Sequence, residues 1–374
     1  MKNLLIALVA VLLAACAGAP KATVTVSNPA DFQRTSQTVE VAWNTLAAKI
    51  AGLTPENVVV TDLQGTQIPS QVIFEGGEKP LTLIFQVSLA AGASADYNVM
   101  VGTRKAYKAE TFGRFVPERL DDYAWENNVV AYRIYGPALE KDMVTNGIDF
   151  WSKSTPELVI DAWYEKDLSG KGSYHLDTGE GNDCYNVGTT LGMGASSPVW
   201  DGKLCYSRNF ASWKTLDNGP VRTSFQLTYA PFAVGDQQVS LVKTISLDAN
   251  TRFNKIVDLY TGDFDTLSVA AGVIMHDSTE VKVGADWSAL YEPASDSRSG
   301  KDGYIGGAVI LPGSAPLEID HSMTRVITVK AAQPMVYYAG AGTSKRDMTD
   351  AAKWFDYVSQ AAAEVAAPLQ VSVK

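Results

Sequence analysis

The chain reads as all-β: an N-terminal β-sandwich-like domain, a longer domain built mostly from antiparallel sheet, and one C-terminal helix. Three observations predict this. Short runs that alternate apolar and polar residues recur along almost the whole length, punctuated by Gly, Pro, Asn and Asp. One stretch alone, residues 349–365, carries a sustained helical spacing of apolar side chains. No self-similarity with a period of about 20 to 50 residues stands out, which argues against a propeller or a solenoid.

The first element is a leader. Met1-Lys2-Asn3 is a short basic start, and Leu4 to Ala15 is an apolar run too short to cross a bilayer. Leu13-Ala14-Ala15-Cys16 resembles the lipobox of bacterial lipoproteins. That resemblance implies cleavage before Cys16, acylation of its thiol, and a lipid-anchored protein of the bacterial cell envelope; Ala17 in place of Asp implies the outer membrane. The alternative is a plain secretory signal with an incidental cysteine. An exported chain tolerates disulfides, so Cys184 and Cys205 are either a bridge or simple thiols, with Cys184 reading as buried among apolar neighbours.

Residues 22–113 form the predicted N-terminal domain. Its strand candidates are 23–27, 38–43, 57–62, 71–74, 81–89 and 97–102, and one helical turn at 47–50 is stopped by Gly52 and Pro55. The boundary is expected near Arg114 to Arg119, around Pro117. Residues 114–374 then continue as strands, of which Leu241 to Leu247 and Arg325 to Val329 show the period of two most clearly. The helix follows: Ala351, Ala352, Trp354, Phe355, Val358 and Ala362 share one face, with Thr349-Asp350 offering the cap.

Charge narrows the partners. With 31 Lys plus Arg against 41 Asp plus Glu, the net charge is −10. That balance, and the lack of a basic patch, excludes nucleic acid as the expected partner. No zinc spacing, phosphate loop, dinucleotide fingerprint or serine triad is present. Aromatic residues make up 10% of the chain, and rings stack on sugars as well as filling cores.

Proton-transfer chemistry concentrates in residues 174–194, where His175, Asp177, Glu180, Asp183 and Tyr185 fall among five glycines. A polar surface loop is the competing reading. Several segments together resemble an uncharacterised family of exported lipoproteins that accompanies polysaccharide-degradation systems, within the galactose mutarotase-like superfamily. They are Tyr123-Ala124-Trp125-Glu126-Asn127, Ala131 to Pro137, the His175 loop, Asn218 to Arg222, and Tyr338 to Gly342. The resemblance implies that residues 114–374 form a galactose mutarotase-like β-supersandwich with a sugar cleft, and a carbohydrate role.

For acidic sugars, breaking the C4–O bond of a uronate by β-elimination needs a base for the C5 proton, a cation on the carboxylate and an acid for the leaving oxygen. His175 and His276 are the candidate bases and Tyr185 the candidate acid. Arg133, Arg208 and Arg222 are candidates to hold the carboxylate; Arg133 otherwise pairs with an acid such as Glu126. Trp125, Trp151 and Trp213 are candidate stacking platforms, with core packing as the alternative. The alternatives are a sugar epimerase, a glycosidase, which would use two carboxylates drawn from Glu180, Asp183 and Asp277, and a non-catalytic glycan-binding lipoprotein, which would need only rings and a cleft. His321, beside Glu318 and Asp320, reads as a satisfied core or surface residue rather than a catalyst. No cofactor is expected: Asp177, Glu180 and Asp183 offer oxygens to a structural calcium ion, but the alternating calcium-loop spacing is absent.

Overall fold

The computed structural model describes residues 21–374; the apolar leader and Cys16 lie outside the described residues. Strands dominate, as predicted. The N-terminal unit is a sandwich of a three-stranded sheet, with Thr82–Leu89 between Arg34–Ala42 and Ser70–Ile73, against a five-stranded one. Val24, Val39, Val41, Leu83, Phe85 and Val99 interdigitate between the two.

The chain's last strand, Gln370–Val373, returns to this first unit and pairs antiparallel with Lys21–Ser27, Val24 lying opposite Val373. The division into 22–113 and 114–374 is corrected at that point. The physical reason is an edge: Lys21–Ser27 would otherwise present an open row of backbone groups on its outer side, and Leu369 and Val373 add apolar surface to the sandwich core.

The larger unit opposes a nine-stranded sheet to two five-stranded ones. Strand Gln237–Asp248 turns Val239, Leu241, Ile245 and Leu247 into the core by strict alternation. Lys243, the fifth inward residue, is fully buried and bonds Asp258 directly across the ladder at 2.7 Å, with the Tyr337 hydroxyl at 3.2 Å. The helix Ala351–Ala366 forms where its pattern places it. The Asp350 side chain accepts from Lys353 N at 2.9 Å, and Trp354 packs so closely over Gly306 that an added Cβ would lie 2.5 Å from the ring.

Three α-helices are present among the described residues, not one. The short Trp43–Ala47 begins a few residues before the predicted turn. Ile160–Leu168 was not legible as a helix: its N-terminal amides are satisfied by a distant carboxylate rather than a local cap. Glu126 Oε1 accepts from both Val159 N and Ile160 N at 2.8 Å, while its other oxygen bonds Lys153 at 2.6 Å.

Candidate functional site

Arg133 lies in the short buried strand Ala131–Ile134, whose neighbours in the sheet are Asp122–Asn127 and Ile148–Lys153. That pairing gathers carboxylates around it. Its guanidinium bonds Asp149 at 2.7 Å and Asp183 at 2.8 Å, approaches Asp122 at 3.7 Å, and donates to the Tyr174 hydroxyl at 3.0 Å. The rings of Tyr135, Trp151 and Tyr174 pack around it at cation–π distance. Three acids around one arginine, all inside the protein, cannot ionise as freely as in water. Burial pushes Asp149 up to about 7, with Asp183 adding to it and Arg133 opposing. Burial likewise raises Asp122 and Asp183 to about 6 against the pull of Arg133.

The cluster is not fully satisfied. Asp122 Oδ1, Asp183 Oδ1, Trp151 Nε1 and the Tyr185 hydroxyl are buried without a hydrogen-bond partner among the described residues. Buried polar atoms normally find partners, and several orphans around one cluster point to a place where solvent or a ligand enters.

His175 stands at the edge of this cluster with its side chain 17% exposed. Its Nδ1 lies 3.2 Å from the carbonyl oxygen of Asp183, which fixes that nitrogen as the N–H. Nε2 has no partner among the described residues. Burial, then the charges of Arg298 and Arg133, hold the imidazole below its usual 6.5. Nδ1 also lies 3.5 Å from a carboxylate oxygen of Asp183 and 3.8 Å from one of Asp296.

Two arginines not marked by the sequence motifs border this region, Arg119 through Tyr174 and Arg298 through its charge on His175. Arg119, half-buried, donates from Nε to the Tyr174 hydroxyl at 3.0 Å, the ring of Tyr174 being 4.6 Å from that of His175. No carboxylate lies within ion-pair distance of Arg119 among the described residues. The chain leaves this position through two successive left-handed residues, Leu120 at φ 51° and Asp121 at φ 65°, a costly conformation for non-glycine residues. The turn packs against Gly136, where any Cβ would sit 1.9 Å from Asp121 O. Arg298 belongs to an exposed loop and meets its nearest carboxylate, Asp296, only at 4.0 Å.

The remaining expectations divide. His276 sits beside Tyr185, edge to face at 5.4 Å, but both its ring nitrogens are engaged, Nδ1 with Glu292 at 2.6 Å and Nε2 with Asn186 O at 2.9 Å. Burial opposes its charge, yet the hydrogen bond and charge of Glu292 outweigh it and raise its pKa. With both ring nitrogens engaged, it is not a free base. Tyr185 is 4% exposed, and burial pushes its phenol well above the ordinary 10. Asp177 is clamped by Lys345 at 2.7 Å, which also holds Asp302 and Asn182. Glu180 turns outward to Trp163 Nε1. Asp177, Glu180 and Asp183 therefore face three different partners and do not converge on a calcium ion; nor do Glu180 and Asp183 flank a common bond.

Arg133 pairs with Asp149 and Asp183, not with Glu126, whose partner is Lys153. Arg208 is exposed and bound to Glu140 at 2.5 Å. Trp125 is core, stacked on Tyr132 and bonded to Asn254. Trp151 is core as well, while Trp213 is exposed and stacked on Phe115 at 4.6 Å. His321 occupies a left-handed turn position at φ 55°. Cys184 and Cys205 are free thiols rather than a bridge; burial raises Cys184 beyond ordinary thiol reactivity.

Arg222 belongs elsewhere. It bonds Asp248 at 2.5 Å and Glu40 at 2.7 Å, in the wall of a cavity of about 870 Å³ between the N-terminal sandwich, the helix Ala351–Ala366 and the nine-stranded sheet. No histidine lines this cavity.

Comparison with known proteins fits this architecture. The family described as "Domain of unknown function (DUF4861)" matches residues 26–371. The chain belongs to that family. Its match therefore spans both units, from the first strand of the sandwich to the returning strand at the end. "Uncharacterized protein P7" of Formosa agariphila is 30% identical over 377 residues, covering 94% of this chain and 93% of the relative. Among solved structures, the chain is similar in fold to a protein in the glycosyl hydrolase family 38 from Enterococcus faecalis (TM-score 0.56, 10% identity) and to an alpha-mannosidase from Enterococcus faecalis V583 (TM-score 0.50, 9% identity). Each likeness covers 95% of this chain and under half of the larger protein, 47% and 46%.

Proposed function

We propose that this protein is a carbohydrate-active enzyme that cleaves acidic, uronate-containing oligosaccharides by β-elimination at His175. The observation that carries the reading is the state of that histidine: a neutral imidazole, one nitrogen fixed by Asp183 O and the other unbonded. Arg298, paired with Asp296 only at 4.0 Å, acts on its charge, and Arg119 bonds the hydroxyl of Tyr174, whose ring packs on His175. Removal of the C5 proton leaves negative charge on the uronate carboxylate, and guanidinium groups are shaped to receive it.

In this reading Nε2 of His175 takes the C5 proton, the released electron pair forms the C4–C5 double bond, and the C4–O bond breaks. The imidazolium so formed returns its proton to the leaving oxygen. Tyr185, the acid expected from sequence, is too deeply buried to serve without a rearrangement. Arg133 with its three acids holds the floor of the site and stays out of the proton transfer. Hydrolysis would need two carboxylates facing each other across a cleft, whereas those with raised pKa are gathered around Arg133.

We further propose that the protein works in the bacterial envelope, tethered to the outer membrane through a lipid on Cys16. Replacing Cys16 by Ser should release it from membranes into the soluble fraction; unchanged membrane association would reject the tether. For the reaction, the purified protein should generate the ultraviolet absorbance of a conjugated unsaturated uronate from uronic-acid oligosaccharides. New reducing ends without that absorbance would replace elimination by hydrolysis.

A further inference from the structure

We propose that the cavity between the sandwich and the nine-stranded sheet is a second glycan-binding site, which holds an oligosaccharide through an anionic group without turning it over. The class of ligand rests on the carbohydrate reading above; the site itself rests on its walls.

Its floor is a cross-strand row. Ser246 lies opposite Lys255, and Lys255 opposite Tyr338, on the outer face of the nine-stranded sheet. Gln37 and Glu40 of the strand Arg34–Ala42 close it from one side, and Tyr357, Gln360 and Glu364 of the helix from another. Planar rings beside amides, hydroxyls and charges suit sugars, which offer apolar faces edged by hydroxyls. A cavity of about 870 Å³ admits a short oligosaccharide.

The charges decide which sugar. Arg222 is committed to Asp248 and Glu40, and Glu364 is bonded by Gln37 and Gln360. Lys255 is half-buried with no carboxylate at ion-pair distance among the described residues. Arg34 in the wall is 1% exposed and donates to Gln37 Oε1 and to the carbonyls of Glu364 and Ala367, with Nε left without a partner. Lys255 is therefore the wall cation left for a ligand, and it matches a carboxylate or sulfate ester on the glycan. The phenol of Tyr338 stands beside it, coupled electrostatically to Glu40, Arg222 and Asp248 and bonded to none of them. Among the described residues no histidine or cysteine lines the walls.

The test is calorimetric titration of the full-length protein carrying His175→Ala, with tetragalacturonate as the carboxylate probe and a carrageenan tetrasaccharide as the sulfate probe. The proposal expects Lys255→Glu and Tyr338→Ala each to weaken binding of at least one probe by about tenfold or more, with unchanged melting temperatures. The responding probe identifies the anion. If neither probe responds to either substitution, the proposal is overturned. A response in the cavity variants, with no elimination product from the wild-type protein on any uronate, would keep the cavity and remove the reading of His175. Product formation without a cavity response would do the reverse.

Discussion

Arg133 concentrates the residue-scale argument, because one guanidinium neutralises parts of three acids that have no other lysine or arginine within ion-pair distance among the described residues. Replacing it with Met would leave those acids buried and unpaired, and the expected cost is about 3–5 kcal/mol of stability in denaturant unfolding. A loss below about 1 kcal/mol would mean that the acids are already protonated without it. The same cluster gives a pH dependence whose sign follows from the raised values. Asp149 at about 7 and Asp122 and Asp183 at about 6 bind more protons in the folded than in the unfolded chain. Their contribution to stability is thus present at low pH and is lost as pH rises from about 4 toward about 7. Asp149→Asn should flatten that slope in a series of thermal melts. His175 runs the other way for activity: its imidazole lies below 6.5, so kcat/KM should hold down to that pH and fall only below it.

Elements explain what was and was not legible in the sequence. The alternation in Leu241 to Leu247 and the apolar face of Ala351–Ala366 were readable, because both report a local pattern of burial. Ile160–Leu168 was not, because its cap is Glu126, more than thirty residues away. Glu126→Gln should therefore loosen this helix, seen as faster amide exchange over residues 160–168, whereas a locally capped helix would be indifferent. The returning strand Gln370–Val373 was equally hidden: four residues carry too little pattern to name a partner at the other end of the chain. In the site, the His175 loop was legible from its density of polar side chains. Arg119 was not, since it sits in a stretch that read as a domain boundary, and its placement depends on left-handed turns at Leu120 and Asp121 that no sequence rule marks. His276 was chosen by residue type alone; its two hydrogen bonds became visible only in the fold.

At the scale of the whole molecule, the first and last strands share one sheet, so the N-terminal sandwich closes only when the chain is complete. Removing residues 369–374 should lower the melting temperature of the sandwich as well as expose Lys21–Ser27 to aggregation. That closure also builds the roof of the cavity that holds Arg222 and Lys255, far in sequence from the His175 loop. The fold is that of a β-rich family whose solved neighbours include glycosyl hydrolase family 38 proteins, while the chemistry proposed rests on His175 and its two arginines. The most direct measurement is ultraviolet absorbance during incubation of uronic-acid oligosaccharides with the wild-type and His175→Ala proteins. The account predicts an unsaturated product from the wild type and none from a variant that melts at the same temperature; a folded His175→Ala protein with full activity would contradict it.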